Sequence, residues 1–271
     1  MLITPLPGSD RNNLLRTMRD LQMRISNIRG ETSDQKYIHY VTWASDAVWM
    51  LRMQVSKIDI DRLVLTRRHW LLHSLNPIPN STGFDSTLAL LNTEIDDRAA
   101  ALEQASSTLA REIERWSGPD ALVVADTSFY LHHDHSLDQL DLSTLLATRE
   151  QTVRLLVPMV VIDELDRLKE SAKARTRART TLRTLDGLLS DPATPAILND
   201  ADWSTVDAGG LPRGRVTIEV VFDPPAHVRL PSEDQELVDR TACVAVLAAK
   251  PVIFLTYDTG QPAVTGVSSE P

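Results

Sequence analysis

Residues 123–131 read VVADTSFYL and residues 252–258 read VIFLTYD. Each holds or completes a short apolar run, Leu122–Ala125 for one and Val252–Leu255 for the other. The first run stops on Asp126, and the second runs through Thr256 and Tyr257 to Asp258. Runs of four or five apolar residues bounded by polar ones are too short for buried helices and suit strands covered on both faces. Two more belong with them: Leu155–Val157, closed by Pro158, and Val216–Val221, which alternates Val216, Ile218 and Val220 with Thr217 and Glu219. Between them, helical patterning covers about 136–147, 160–188 and 233–249. Strands alternating with helices predict a parallel α/β sheet. In such sheets ligands bind beyond the carboxyl ends of the strands, the edge on which Asp126 and Asp258 fall.

Upstream of the Ser117-Gly118-Pro119 breaker the pattern is helical. Leu14, Leu15, Met18, Leu21, Ile25 and Ile28 recur at three- and four-residue steps. Ser33 or Asp34 can cap a second helix carrying Tyr37, Ile38, Val41, Trp43, Ala44, Val48, Trp49 and Met53. Asp59 or Asp61 can open a third, with Leu63, Val64, Trp70, Leu71 and Leu72. A loop follows at Asn76–Gly83, then a long helix from about Ser86 to Trp116. The spacing of Trp43, Trp49, Trp70 and Trp116 fits core or interface positions. This divides the chain into a helical domain of unassigned role, 1–118, and an α/β domain, 119–271.

The composition is that of a folded protein. It is 42% hydrophobic and 24% charged, with one cysteine, Cys243. A single thiol forms no internal bridge and fits a reducing, cytoplasmic setting. Cys243 lies among Ala242, Val244, Ala245 and Leu247 and is expected to be buried and inert. No apolar run approaches the roughly 20 residues that span a bilayer, so no membrane role is expected. The start, MLITPLPGSDRNN, lacks the layout of a secretory signal. Residues 1–118 carry equal numbers of acidic and basic residues, so the whole net charge of −9 belongs to residues 119–271. Within that acidic part Arg167, Lys169, Lys173, Arg175, Arg177, Arg179 and Arg183 cluster. If one helix ran unbroken from Glu164 to Leu188, Lys169, Lys173 and Arg177 would form one row, and Arg175, Arg179 and Arg183 another. Such rows are either a solvated face or a track for phosphates.

Four carboxylates fall where a ligand site is expected: Asp126, Glu164 in VPMVVIDELDRLKE (157–170), Asp234 in SEDQELVDR (232–240), and Asp258. Singly, each has an ordinary role; Asp126 and Asp234 suit helix N-caps. Gathered on one edge they would repel one another unless cations intervened. Hard oxygen donors suit Mg²⁺ or Mn²⁺, and paired ions of this kind cleave phosphodiesters.

These motifs, VVADTSFYL, VPMVVIDELDRLK, SEDQELVDRTACVAVLAA and VIFLTYDTG, make residues about 121–258 resemble the PIN domain, a family of metal-dependent nucleases acting mainly on RNA. The resemblance implies a PIN-like parallel sheet flanked by helices, here preceded by an all-α domain. It implies that Asp126, Glu164, Asp234 and Asp258 hold Mg²⁺ or Mn²⁺, with Asp239 or Glu233 as alternative or additional ligands. Thr127, Ser128 and Thr256 would support the carboxylates, and Lys169, Lys173, Arg175, Arg177 and Arg179 would bind RNA. The resemblance says nothing of residues 1–118, which are left to bind RNA, a protein partner or a second copy of the chain. Family members commonly add a helix and strand after the last acid, whereas TGQPAVTGVSSEP reads as coil, so either the chain is truncated or the edge strand is missing.

The competing reading is a non-catalytic PIN-like module that binds RNA or protein. A haloacid-dehalogenase-type phosphatase needs a second Asp where Ser128 stands. A toxin of a toxin–antitoxin pair is usually little more than the bare domain, so the extra 118 residues count against it. His132, His133 and His135 in LHHDHSLD are expected to be solvated loop residues. No Ser/His/Asp elbow, P-loop or GxGxxG occurs.

Overall fold

The computed structural model describes residues 3–75, 83–148, 150–191, 194–204, 206, 209–210, 212–225 and 227–258, and the backbone of 267–269. The chain forms two compact units, Met1–Ser117 and Gly118–Pro271.

The first unit is all helical: α1 (Arg11–Ile28), α2 (Lys36–Leu51), α3 (Lys57–Leu63), α4 (Arg67–Leu75) and α5 (Phe84–Trp116). Asp10 caps α1, accepting from the Asn13 amide at 2.6 Å. The apolar stripe Leu14, Met18, Leu21, Ile25 and Ile28 is buried against α5, whose own stripe is Leu91, Ile95, Ala99, Leu102, Ala105 and Leu109. Each such aliphatic side chain contributes about 1.5–3 kcal/mol on burial.

Two expectations need correction here. The single helix expected after Asp59 is two. Ser56, not Asp59 or Asp61, caps α3, and the Thr66 hydroxyl accepts from the His69 amide at the start of α4. The buried face of α2 is Tyr40, Trp43, Ala44, Ala47 and Leu51, so Ile38, Trp49 and Met53 point to solvent. Trp43 and Trp116 are core residues, but Trp49 and Trp70 are 66% and 54% exposed. Both faces of α2 carry apolar residues, so periodicity could not choose between them. The loop expected at Asn76–Gly83 lies, apart from Gly83, outside the described residues.

The second unit is a six-stranded sheet with helices. In chain order it runs β1 (Ala121–Ala125), α6 (Thr127–His132), a 3-10 turn (Leu137–Gln139), α7 (Leu142–Leu145), β2 (Val153–Pro158), α8 (Met159–Leu168), α9 (Arg175–Leu188), β3 (Ala196–Asn199), β4 (Val216–Val221), α10 (Glu233–Ala248), β5 (Val252–Leu255) and β6 (Val267–Ser269). Strand order is β3-β4-β2-β1-β5-β6. Neighbours are parallel except β3 and β4. Consecutive residues Leu122–Ala125 and Leu155–Val157 are all buried, as strands covered on both faces should be.

After β1 the chain first builds outward on one side, through β2 and β4, and then returns to add β5 and β6 on the other. The reversal lies between β1 and β5, where a ligand crevice is expected. The register sets Ala125 opposite Leu255, so the next residues, Asp126 and Thr256, emerge side by side.

The tail read as coil supplies β6, which pairs in parallel with β5, so the edge strand is present. The stretch 136–147 is not one helix but a 3-10 turn and the short α7. The helix expected from Glu164 to Leu188 is interrupted at 169–174.

Candidate active site

The β1–α6 junction fixes Asp126. Its carboxylate is 4% exposed and caps α6, accepting from the Phe129 amide at 2.8 Å. The Ser128 hydroxyl donates to it at 2.8–2.9 Å, and the Thr256 hydroxyl at 2.6 Å. These hydroxyls also receive. Ser128 Oγ accepts from the Tyr257 amide at 2.9 Å, and Thr256 Oγ1 from the Asp258 amide at 2.8 Å. The loop bearing Asp258 is thus stitched to Asp126 through two hydroxyls. Burial, and then the charge of Asp126, push the phenol of buried Tyr130 well above the usual tyrosine value, so it stays protonated.

Glu164 arrives from a different strand. Pro158 ends β2, the neighbour of β1, and α8 starts at once, placing Glu164 in its second turn. The half-buried Glu164 carboxylate accepts from the Thr127 hydroxyl at 2.5 Å. The structure therefore brings Asp126, Thr127, Ser128, Glu164 and Thr256 into one hydrogen-bonded group. Among the described residues neither Asp126 nor Glu164 has a Lys or Arg partner; their donors are hydroxyls and one amide. The hard oxygens of two carboxylates held this way fit Mg²⁺ or Mn²⁺.

The remaining acids are placed less closely. Asp234 is exposed in the first turn of α10. Beside it, Glu233 is committed to an ion pair with Arg167 of α8, which joins the start of α10 to the end of α8. Asp239 is taken by its neighbour Arg240 at 2.5 Å. Asp258 is exposed. Among the described residues no three His, Cys, Asp or Glu side chains stand together as a metal-holding set.

The interruption at 169–174 divides the basic stripe. The row Lys169–Lys173–Arg177 does not exist as a helix face. Lys169 pairs with Asp166, and Arg177 donates to the carbonyls of His133 and His135. Arg175, Arg179 and Arg183 keep their four-residue spacing on α9. Together with Lys173 they are exposed and, among the described residues, form no ion pair.

Two features escaped the sequence reading. Glu236, two residues past Asp234, is wholly buried. It bonds with His227 at 2.6 Å and accepts from the Leu230 amide at 2.8 Å, clipping the preceding loop to α10. The other is an aromatic group beside Asp126. Buried Phe129 stacks on His133 with centroids 4.8 Å apart and on Tyr257 at 5.9 Å, and His133 Nδ1 shares a hydrogen bond with the Tyr257 hydroxyl at 3.0 Å. His135 meets His133 edge-on, and His132 is exposed. Burial first, and then His135, lower the pKa of His133, which favours its neutral form. Tyr257 lies 124 residues beyond His133 in the chain, so the group left no local pattern to read.

Residues 123–261, just over half of the chain, match the family model described as the PIN domain. No curated protein and no solved structure matches the chain.

Proposed function

The chain belongs to the PIN-domain family, whose members are in general nucleases, and from that premise we propose that it is a metal-dependent endoribonuclease. It hydrolyses RNA phosphodiester bonds with Mg²⁺ or Mn²⁺ held by Asp126, Glu164, Asp234 and Asp258. The observation that carries this reading is the group at the β1–β5 reversal. There a buried Asp126 and, one residue along, a Glu164 bonded to Thr127 have only neutral donors. When bound, such an ion supplies an activated water and charge for the leaving oxygen.

The chain's own residues supply the rest. Ser128, Thr256 and the Phe129 amide fix the orientation of Asp126, and Thr127 fixes that of Glu164. Within the basic stripe, Lys173, Arg175, Arg179 and Arg183 form no ion pair among the described residues and are the cations assigned to neutralise RNA phosphates. Lys169 and Arg177 are withdrawn from that role because their charged groups are engaged within the protein. Asp239 is withdrawn as a ligand because Arg240 holds it.

No helix among the described residues is long and apolar enough to cross a membrane. The single cysteine, Cys243, is buried, in keeping with the proposed cytoplasmic setting. The helical unit, with Ile38, Trp49, Met53 and Trp70 exposed, is assigned to association with a protein partner or a second copy of the chain.

The test is cleavage of labelled single-stranded RNA. Cleavage should require Mn²⁺ or Mg²⁺, stop with chelator, and stop in Asp126→Asn at unchanged fold. Cleavage that persists in Asp126→Asn overturns the assignment. The lack of a three-ligand set among the described residues favours one second reading, an RNA-binding module without catalysis. Metal-independent RNA binding with no cleavage would select it.

A further inference from the structure

Tyr257 is 52% exposed, yet its ring is held on several sides. One face lies against buried Phe129, with centroids 5.9 Å apart and planes inclined by 29°. Its hydroxyl is bonded to His133 Nδ1 at 3.0 Å, and its amide to Ser128 Oγ at 2.9 Å. Phe129 in turn stacks on His133 at 4.8 Å and 18°. The loop that carries His133 is fastened from α9, because Arg177 donates to the carbonyls of His133 and His135. A single exposed aromatic residue needs no explanation. A ring fixed by a packed face, a bonded hydroxyl and a bonded amide is different, because little rotamer freedom remains to be lost when a ligand stacks on it.

Its position gives the ring a use. The residue before it, Thr256, donates to Asp126, and the residue after it is Asp258. The ring is therefore carried by the residue between Thr256, which holds Asp126, and Asp258, and it packs on Phe129, whose amide also bonds Asp126. A planar, partly exposed ring next to such a site suits a nucleobase, which offers a π-face whatever its identity.

We propose that Tyr257, propped by Phe129 and His133, is a stacking platform for an unpaired base of the nucleotide at the cleaved phosphate. The inference rests on the nuclease reading and deepens it. The substrate would be a single strand or an unpaired segment whose base can leave its stack, and a duplex would be excluded. Tyr257 is a substrate-binding residue, and Arg177 a positioning residue that acts through the His133 loop. This differs from the phosphate-neutralising role first expected of Arg177.

Binding measured without catalysis separates the two claims. The full chain, with chelator present, is titrated with a labelled single-stranded oligoribonucleotide. A second titration uses an abasic strand of equal length and equal phosphate count. The wild type should prefer the base-bearing strand by about tenfold. Tyr257→Leu, of similar bulk but without a π-face, should bind both strands at the abasic level. Tyr257→Trp should keep the preference. Arg177→Gln should weaken the preference while leaving affinity for the abasic strand unchanged. If Tyr257→Leu keeps the wild-type preference, or if the wild type binds both strands equally, the platform is wrong and the nuclease reading stands. If the wild type binds neither strand and cleaves no RNA, both fall.

Discussion

Glu94 in the helical unit and Asp126 in the α/β unit are both buried carboxylates, and they are satisfied in opposite ways. Glu94 lies in the middle of α5 with no exposure. Arg68 stands 3.0 Å from it, Arg98 stands 3.1 Å from it one turn along, and the Thr66 hydroxyl donates to it at 2.7 Å. Its charge is spent inside the fold, joining α4 to α5. Glu219, on β4, is closed in the same manner by Arg154 of β2. Asp126 has hydroxyls and an amide where Glu94 has guanidinium groups. Neutral donors orient a carboxylate without cancelling it. Asp59 shows that neutral donors alone do not make a site. It too is buried, bonded by Ser56 and the Thr4 amide, but it serves the cap of α3. What separates Asp126 is the second carboxylate, Glu164, on a hydroxyl one residue away, at the reversal of a parallel sheet.

The sharpest way to break this comparison is to remove both charges and ask which loss is structural. Glu94→Leu leaves two arginines facing a buried apolar side chain and should cost about 3–5 kcal/mol of unfolding free energy, read from the denaturant midpoint. Asp126→Asn keeps a good N-cap and should leave stability within about 0.5 kcal/mol, or raise it, when measured without metal. It should lower cleavage by about a hundredfold or more, since the ion's charge on the transition state is worth several kcal/mol. Asp126→Ala adds a control, because losing the cap itself should cost about 1 kcal/mol. A large stability loss in Asp126→Asn would make Asp126 a second Glu94.

The asymmetry between the two carboxylates was only half legible. The placement of Asp126 at a strand end was legible because it directly follows a buried run, and that of Glu164 early in a helix because Pro158 ends the preceding strand. The edge strands could not. β3 is AILN with no fully buried residue, and β6 follows a tail containing Pro262, so neither has a run of its own. The break at 169–174 has no Gly or Pro, and KESAKA favours helix residue by residue. There the chain turns because α9 must set Ala178, Thr181 and Leu185 into the core, a tertiary demand that overrides propensity. Guanidinium partners such as Arg68 for Glu94 lie 26 residues away and leave no local signal.

A smaller effect tests whether the hydroxyls are the working difference. Thr256→Val keeps shape and removes one donor to Asp126. Groups that orient a metal ligand typically contribute 10–100-fold to metal affinity. An ion that binds the folded state alone stabilises it by about 2.7 kcal/mol at a hundred times its Kd. The midpoint of the rise in melting temperature with Mn²⁺ should therefore move by that factor in Thr256→Val, and the rise should vanish in Asp126→Asn. Thr66→Val, beside Glu94, should leave the Mn²⁺ response untouched. Equal Mn²⁺ responses in wild type and Thr256→Val would deny the hydroxyl its role.

The smallest expected effect concerns the cations, where the same contrast recurs in reverse. Arg68, Arg98 and Arg154 are consumed by buried acids, whereas Arg175, Arg179 and Arg183 stand exposed on α9 with no ion pair among the described residues. At four-residue steps the three share one face, and the side chain between them on the chain, Arg177, is tied to backbone carbonyls. A row that touches phosphates releases counterions, and for a single strand the log–log salt slope falls by about 0.7 for each phosphate no longer neutralised. Replacing all three by Gln should weaken RNA binding modestly at low salt and flatten the slope, with the Mn²⁺ response unchanged. Replacing Lys169 and Arg167, already paired with Asp166 and Glu233, should change the slope less. The two sets differ in freedom and, at three charges against two, in number, so the slope change per residue replaced is the quantity to measure. Equal changes per residue in both variants would mean that α9 presents a solvated face and that the strand is held elsewhere.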